Sequence, residues 1–363
     1  MATDSSATRG LLDRVRREVD RNAVRARNGV LWFAGAEFAP KHPTASDVVW
    51  RQGKAHVRRY RSEATTRFRT PVVCYLGLVG QSYVFDLYDG GSIVQMLMDW
   101  GYDAYVLDWG TTDELDADNT LELYLQSYLP RALEAICAES GSPDVNVLAY
   151  CMGGLMTVEA LAAQPDLPIR SVVTLAAPYD FTQMGAMVDV LREGKVEPDD
   201  LLDSTGNLPA GAIRESFKRR KPTGDLVNYA NLWQNLWNDE YVEGYQAIGR
   251  FLGDHIPLPG MVFREMAQNW LRDNGFVTNR LRLGGRKLDL ADVRRPILAV
   301  VAELDDIVVE SSATALVQAL PHAEVELLRV DAGHVSLFAG RKAVKVVMPK
   351  IFQWIEEHSE VRA

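Results

Sequence analysis

A strand-forming run, Val145–Ala149, passes without a spacer into Tyr150-Cys151-Met152-Gly153-Gly154. Gly153 and Gly154 leave room for a backbone tight enough to turn from strand to helix at once, and such a turn lifts the side chain at its apex, Cys151, out of the sheet. The same rhythm surrounds this stretch: a strand at Val72–Leu76, a helix over Ser92–Asp99, a strand at Ala104–Leu107, a helical stretch over Leu121–Ala138 and an apolar strand at Ser171–Ala176. It stops near Pro178 and resumes after Arg295-Pro296 with strands at Ile297–Ala302 and Val325–Leu328 and a C-terminal helical stretch through Trp354 and Ile355. Alternation of this kind predicts a parallel-dominated central sheet with helices on both faces.

The interruption divides the chain. Residues 66–178 and 291–363 are expected to form the α/β core, and 179–290 an inserted, mainly helical cap. The interval is rich in large aromatics, among them Phe181, Trp233, Trp237, Tyr241, Tyr245, Phe251, Phe263, Trp270 and Phe276, which suit a small helical core or, for a few of them, the wall of an acyl channel. Residues 1–65 are expected to form an N-terminal helical and extended region. Within it, 9–28 read as an amphipathic helix with Leu11, Leu12, Val15, Val19 and Ala23 on one side and seven arginines mostly on the others, ended by Asn28-Gly29. Such a helix packs on the main domain or offers a surface to a partner subunit or an anionic lipid layer.

Composition narrows the functional classes. A formal charge of −10 argues against a nucleic-acid partner, which calls for a basic domain. No apolar run approaches the roughly 20 residues that cross a bilayer, and the polar start Met1–Arg9 lacks a signal-peptide centre, so a cytoplasmic location is expected. Three cysteines cannot make an even disulfide framework, and none has the neighbours of a zinc site, so no metal is expected. Cys74 and Cys137 read as core fillers.

Two segments follow Cys151 in the chain order nucleophile, acid, base: Glu303-Leu304-Asp305-Asp306-Ile307-Val308 after one strand, and Asp331-Ala332-Gly333-His334 after the next. That order is the one expected of an α/β-hydrolase fold. Cys151, Asp305 and His334 are the candidate triad; His42, His56, His255, His322 and His358 lack a comparable context. A thiol with an unperturbed pKa of about 8.5 needs an adjacent base, which His334 supplies, while Asp305 fixes the imidazole and the start of the following helix offers N–H groups to developing negative charge. Sulfur matters to the reaction class. An acyl group on cysteine remains an activated thioester and can drive transfer to an alcohol, whereas an ester on serine has lost that free energy. Water as acceptor makes the same triad a hydrolase, so the motif leaves the acceptor open.

Further segments resemble the polyhydroxyalkanoate synthases, especially the short catalytic subunits of the two-component classes: Ser82-Tyr83-Val84-Phe85-Asp86-Leu87, Gly91-Ser92, Gly101–Gly110, Asn231–Val242, Pro259–Glu265 and Gly284–Leu290. The resemblance spans about residues 40–355. It implies polymerisation of (R)-3-hydroxyacyl-CoA to a polyester with release of CoA and no cofactor. It implies Cys151 as carrier of the acyl group and growing polyester chain, His334 as base for the thiol, and Asp305 as assistant to the incoming 3-hydroxyl, directly or through His334. An oxyanion hole is implied at the backbone N–H groups of Met152 and Val79. A separate subunit of the PhaE or PhaR kind, a homodimer and a place at the polyester granule surface are also implied. The chain departs from the pattern at Ala149, where the family has glycine; at Asp306 and Val309, where it has histidine and proline; and in Gly77-Leu78-Val79-Gly80. The rival readings are a cysteine-dependent thioesterase or polyester depolymerase, and a non-catalytic granule-associated protein.

Overall fold

A computed structural model describes residues 5–63, 65–219 and 231–362. The centre is an eight-stranded sheet. Its strands are β1 (Ser46–Gln52), β2 (Ala55–Tyr60), β3 (Val72–Leu76), β4 (Ala104–Asp108), β5 (Val145–Tyr150), β6 (Ile169–Leu175), β9 (Ile297–Ala302) and β10 (Val325–Val330), with β7 (Arg282–Leu283) and β8 (Arg286–Lys287) forming a separate hairpin. The order is β1-β2-β4-β3-β5-β6-β9-β10. From β4 to β10 all neighbours are parallel, and β1 and β2 add an antiparallel edge. Every residue of β3, β5 and β9 is buried, because helices cover both faces and a strand between two helical layers has no polar side to show.

The 1–65 region is a helix followed by two extended segments, and the extended half joins the core. β1 and β2 complete the core sheet, β2 pairing with β4 from His56 opposite Asp108 to Arg59 opposite Tyr105. Their sequences, Ser-Asp-Val-Val-Trp-Arg-Gln and Ala-His-Val-Arg-Arg-Tyr, lack the apolar run of a central strand because they lie at the sheet's edge. The N-terminal helix differs from expectation: it runs Ser5–Phe33, past Asn28-Gly29. Asn28 does not end it. Its side chain is buried and donates to the Leu236 carbonyl and the Asp239 carboxylate, at 2.7 Å each. Val15 and Val19 remain exposed, at 53% and 61%, and the side chains of Leu11 and Leu12 lie outside the described residues.

The 179–290 interval is mainly helical, with helices at Ala186–Arg192, Ala210–Arg219, Asp239–Gly253 and Gly260–Met266 among its described residues. Phe181, Phe251, Phe263, Trp270 and Phe276 are buried, which makes most of its aromatics packing residues; Trp233 is exposed. Phe251 belongs to the same apolar cluster as Cys151, so this helix reaches the catalytic edge of the sheet.

Candidate active site

At the end of β5 the chain enters the left-handed region. Cys151 has φ 51° and ψ −120°, a conformation that costs a residue with a Cβ on the order of 1–3 kcal/mol and persists only where its surroundings impose it. They do so here. The Cys151 N–H donates to the Leu175 carbonyl at 2.7 Å, and the helix Met152–Ala163 begins at once behind it. Close packing explains the small residues around the turn. A Cβ on Gly154 would stand 2.6 Å from that of Ala177, and one on Gly77 would stand 2.4 Å from the Cβ of Met152. The loop after β3, which carries Val79, therefore lies directly on the residue after Cys151. Ala149, in place of the family's glycine, is fully buried in the strand between Tyr75 and Thr174.

The acid and base arrive from the ends of β9 and β10. His334 Nδ1 stands 2.7 Å from Asp305 Oδ2, and both side chains are almost inaccessible. The other carboxylate oxygen, Oδ1, accepts the N–H groups of Ile307 at 2.8 Å and Val308 at 2.9 Å. Asp305 is thus held on both oxygens and turned to the imidazole, while Asp306 is exposed. Burial works against a charged imidazole, but the hydrogen bonds to Asp305 and Cys151 outweigh it and raise His334 to about 10. The structure brings Cys151, His334 and Asp305 together, with the helix start at Met152 and the Val79 loop beside them. His56, His322 and His358 bond backbone carbonyls instead. Cys74 is wholly buried, and burial lifts its thiol far above the usual range; burial pushes the half-buried Cys137 up to about 11. Among the described residues no group of three or more His, Cys, Asp or Glu could hold a metal ion.

Other residues complete the site. The Tyr150 ring lies 5.1 Å from that of His334 and 4.6 Å from Phe338, and Phe338 meets Phe251 at 5.6 Å. Trp109 donates its indole N–H to the Leu76 carbonyl at 2.7 Å, fixing the end of β3 just before the Val79 loop. Trp109 sits in a motif already noted, and Tyr150 adjoins Cys151, but only the fold shows which rings meet.

Comparison with known proteins agrees with this geometry. A family model described as alpha/beta hydrolase fold matches residues 70–340. A poly(3-hydroxyalkanoate) polymerase subunit PhaC of Haloferax mediterranei is 27% identical over 87% of this chain, which spans 65% of that relative's length. The PhaC subunit of Allochromatium vinosum is 28% identical, covering 89% of this chain and 91% of the relative. Among solved structures, a thermophilic esterase of Thermogutta terrifontis superposes with a TM-score of 0.51 at 15% identity, over 87% of this chain and 98% of the esterase, a likeness of fold alone. The chain belongs to the alpha/beta hydrolase fold family, and the PhaC subunits of poly(3-hydroxyalkanoate) polymerase are its relatives within it.

Proposed function

We propose that this chain is the catalytic subunit of a poly(3-hydroxyalkanoate) polymerase that joins (R)-3-hydroxyacyl groups from CoA thioesters into polyester. The observation that carries the reading is a cysteine, not a serine, at the elbow, with a buried His334–Asp305 pair behind it. The Cys151 thiolate adds to the thioester carbonyl. Negative charge on oxygen is met by the N–H groups of Met152 and Val79, and the carbon–sulfur bond to CoA breaks as CoA leaves with the proton held by His334. The 3-hydroxyl of the next unit then gives its proton to His334 and attacks the acyl-cysteine, so one ester bond forms as one thioester bond breaks. Asp305, with both oxygens occupied, acts through His334.

A partner subunit of the PhaE or PhaR kind fits the N-terminal helix, where the exposed Val15 and Val19 lie among Arg14, Arg17 and Arg21. The growing product places the enzyme at a granule surface. The test is to supply 3-hydroxybutyryl-CoA and separate the products. Released CoA accompanied by insoluble polyester supports the polymerase; CoA accompanied by soluble 3-hydroxy acid makes the protein a thioesterase.

A further inference from the structure

The helix Asp239–Gly253 touches two things that the reaction scheme leaves unconnected. At its C-terminal end Phe251 meets Phe338 edge-on, with centroids 5.6 Å apart and planes at 83°. Phe338 meets Tyr150 at 4.6 Å and 69°, and Tyr150 lies 5.1 Å from the His334 ring. Phe338 stands four residues after His334 on the same loop, so the cap helix supports the base through two rings. Phe251 also faces Tyr83, at 6.1 Å, and the Gly80 end of the Val79 loop.

The outer side of the same helix is strapped by the segment that follows the N-terminal helix. The Gln246 side chain accepts the N–H groups of Phe38 at 2.6 Å and Ala39 at 3.2 Å, and donates to the Ala36 carbonyl at 2.8 Å. Arg250 reaches Glu37 and the Ala39 carbonyl, and Lys41 pairs with Asp254 just beyond the helix. Asp239, in its first turn, is held by Arg27 and Asn28. A side-chain amide that makes three bonds to one strap fixes the helix along its axis as well as sideways.

We infer that Phe251 is a positioning residue for His334, and that the strap at residues 36–41, through Gln246, sets how firmly Phe251 seats the base. The inference rests on the assignment of His334 as the base for Cys151. It differs from simple covering of the thiol in the sign of its effect. A cover that is loosened exposes Cys151 and speeds its modification; a support that is loosened separates imidazole from thiol and slows it.

The measurement is the rate of Cys151 alkylation by iodoacetamide from pH 6 to pH 10 in the full chain, since that reaction reports the thiolate. Phe251→Ala is expected to lower the rate near neutral pH by about fivefold or more, with the difference closing at alkaline pH, where hydroxide can take the proton in place of His334. Phe251→Leu, which restores bulk against Phe338, is expected to recover most of the rate. Gln246→Ala removes the strap bonds at a distance from the site and should act in the same direction by a smaller factor, which keeps the test decisive if Phe251→Ala does not fold. A rate that rises at every pH would assign the helix a covering role only. An unchanged rate in both variants would mean that the helix does not act on His334. Either result overturns the proposal, and because no acyl-CoA enters the measurement, neither bears on the polymerase reading.

Discussion

A serine at position 151 would fit the elbow, since it is close to cysteine in size, but its alcohol would be poorly activated by an imidazole placed for a thiol, and its acyl ester would be a weaker donor than a thioester. Cys151→Ser is therefore expected to cut CoA release by about a thousandfold or more while leaving the circular dichroism spectrum and melting temperature near those of the parent. Retained turnover would remove Cys151 as nucleophile. Two neighbouring acids allow a sharper comparison. Asp305 holds His334 and two backbone N–H groups, and Asp306 is exposed. Asp305→Asn should slow CoA release by about a hundredfold or more, through loss of the correct imidazole tautomer, and Asp306→Asn should stay within about threefold. A larger loss at Asp306 would contradict the observed register. That Cys151, Asp305 and His334 would stand together was legible in the sequence, because each stands just after a predicted strand, in a fixed order. Tyr150, Phe338 and Phe251 were not, since an aromatic residue in a sequence does not show which ring it will meet.

The helix behind the nucleophile is buried along almost its whole length, yet it carries Glu159, one of whose oxygens accepts the Trp270 indole N–H at 3.0 Å while the other has no hydrogen-bond partner among the described residues. Burial pushes this carboxyl up to about 8, against the indole N–H that favours its charged form, and Glu265 adds to the rise. An unfolded glutamate loses its proton near pH 4.5. Between that pH and about 8 the unfolded chain has released a proton that the folded chain still holds, so Glu159 lowers stability progressively over this window, and above it the penalty stays constant. Glu159→Gln removes the titration and can still accept the Trp270 bond. Melting temperatures of parent and variant should diverge in the variant's favour as pH rises from 5 towards 8, then run parallel. A constant difference across that range would show that Glu159 is already ionised. Among the elements, the strands buried on both faces were readable as apolar runs, and the polar β1 and β2 were not. The helical stretch Leu121–Ala138 was readable too, but not its π turn at Tyr124–Tyr128, which lies just before Pro130, where a missing N–H breaks the regular ladder; the π turn Ala343–Val347 precedes Pro349 in the same way, whereas the one at Ala267–Arg272 has no proline behind it.

At the scale of the molecule, the break in the strand–helix alternation after Pro178 was visible in the sequence, whereas the strapping of the helix Asp239–Gly253 by residues 27–41 was not, because its bonds join positions more than 200 apart. The N-terminal helix has two parts with different tasks. Its far part exposes Val15 and Val19, and its near part, at Arg27 and Asn28, ties down Asp239. Removal of residues 1–28 is expected to leave the sheet folded, with unchanged β content by circular dichroism, while weakening stimulation of CoA release by the proposed partner subunit. Equal stimulation of full-length and truncated chains would return the helix to a packing role. The remaining consequence concerns the borders of the sheet. β1 breaks register between Val48 and Trp50 and exposes Asp47 and Arg51 along with Val48; at the opposite border, β10 carries Glu326 and Arg329. A bulged border and charged side chains are poor templates for another chain's backbone. Many copies can therefore crowd together without their sheets fusing into a fibre, which the proposed deposition of an insoluble product would demand of them.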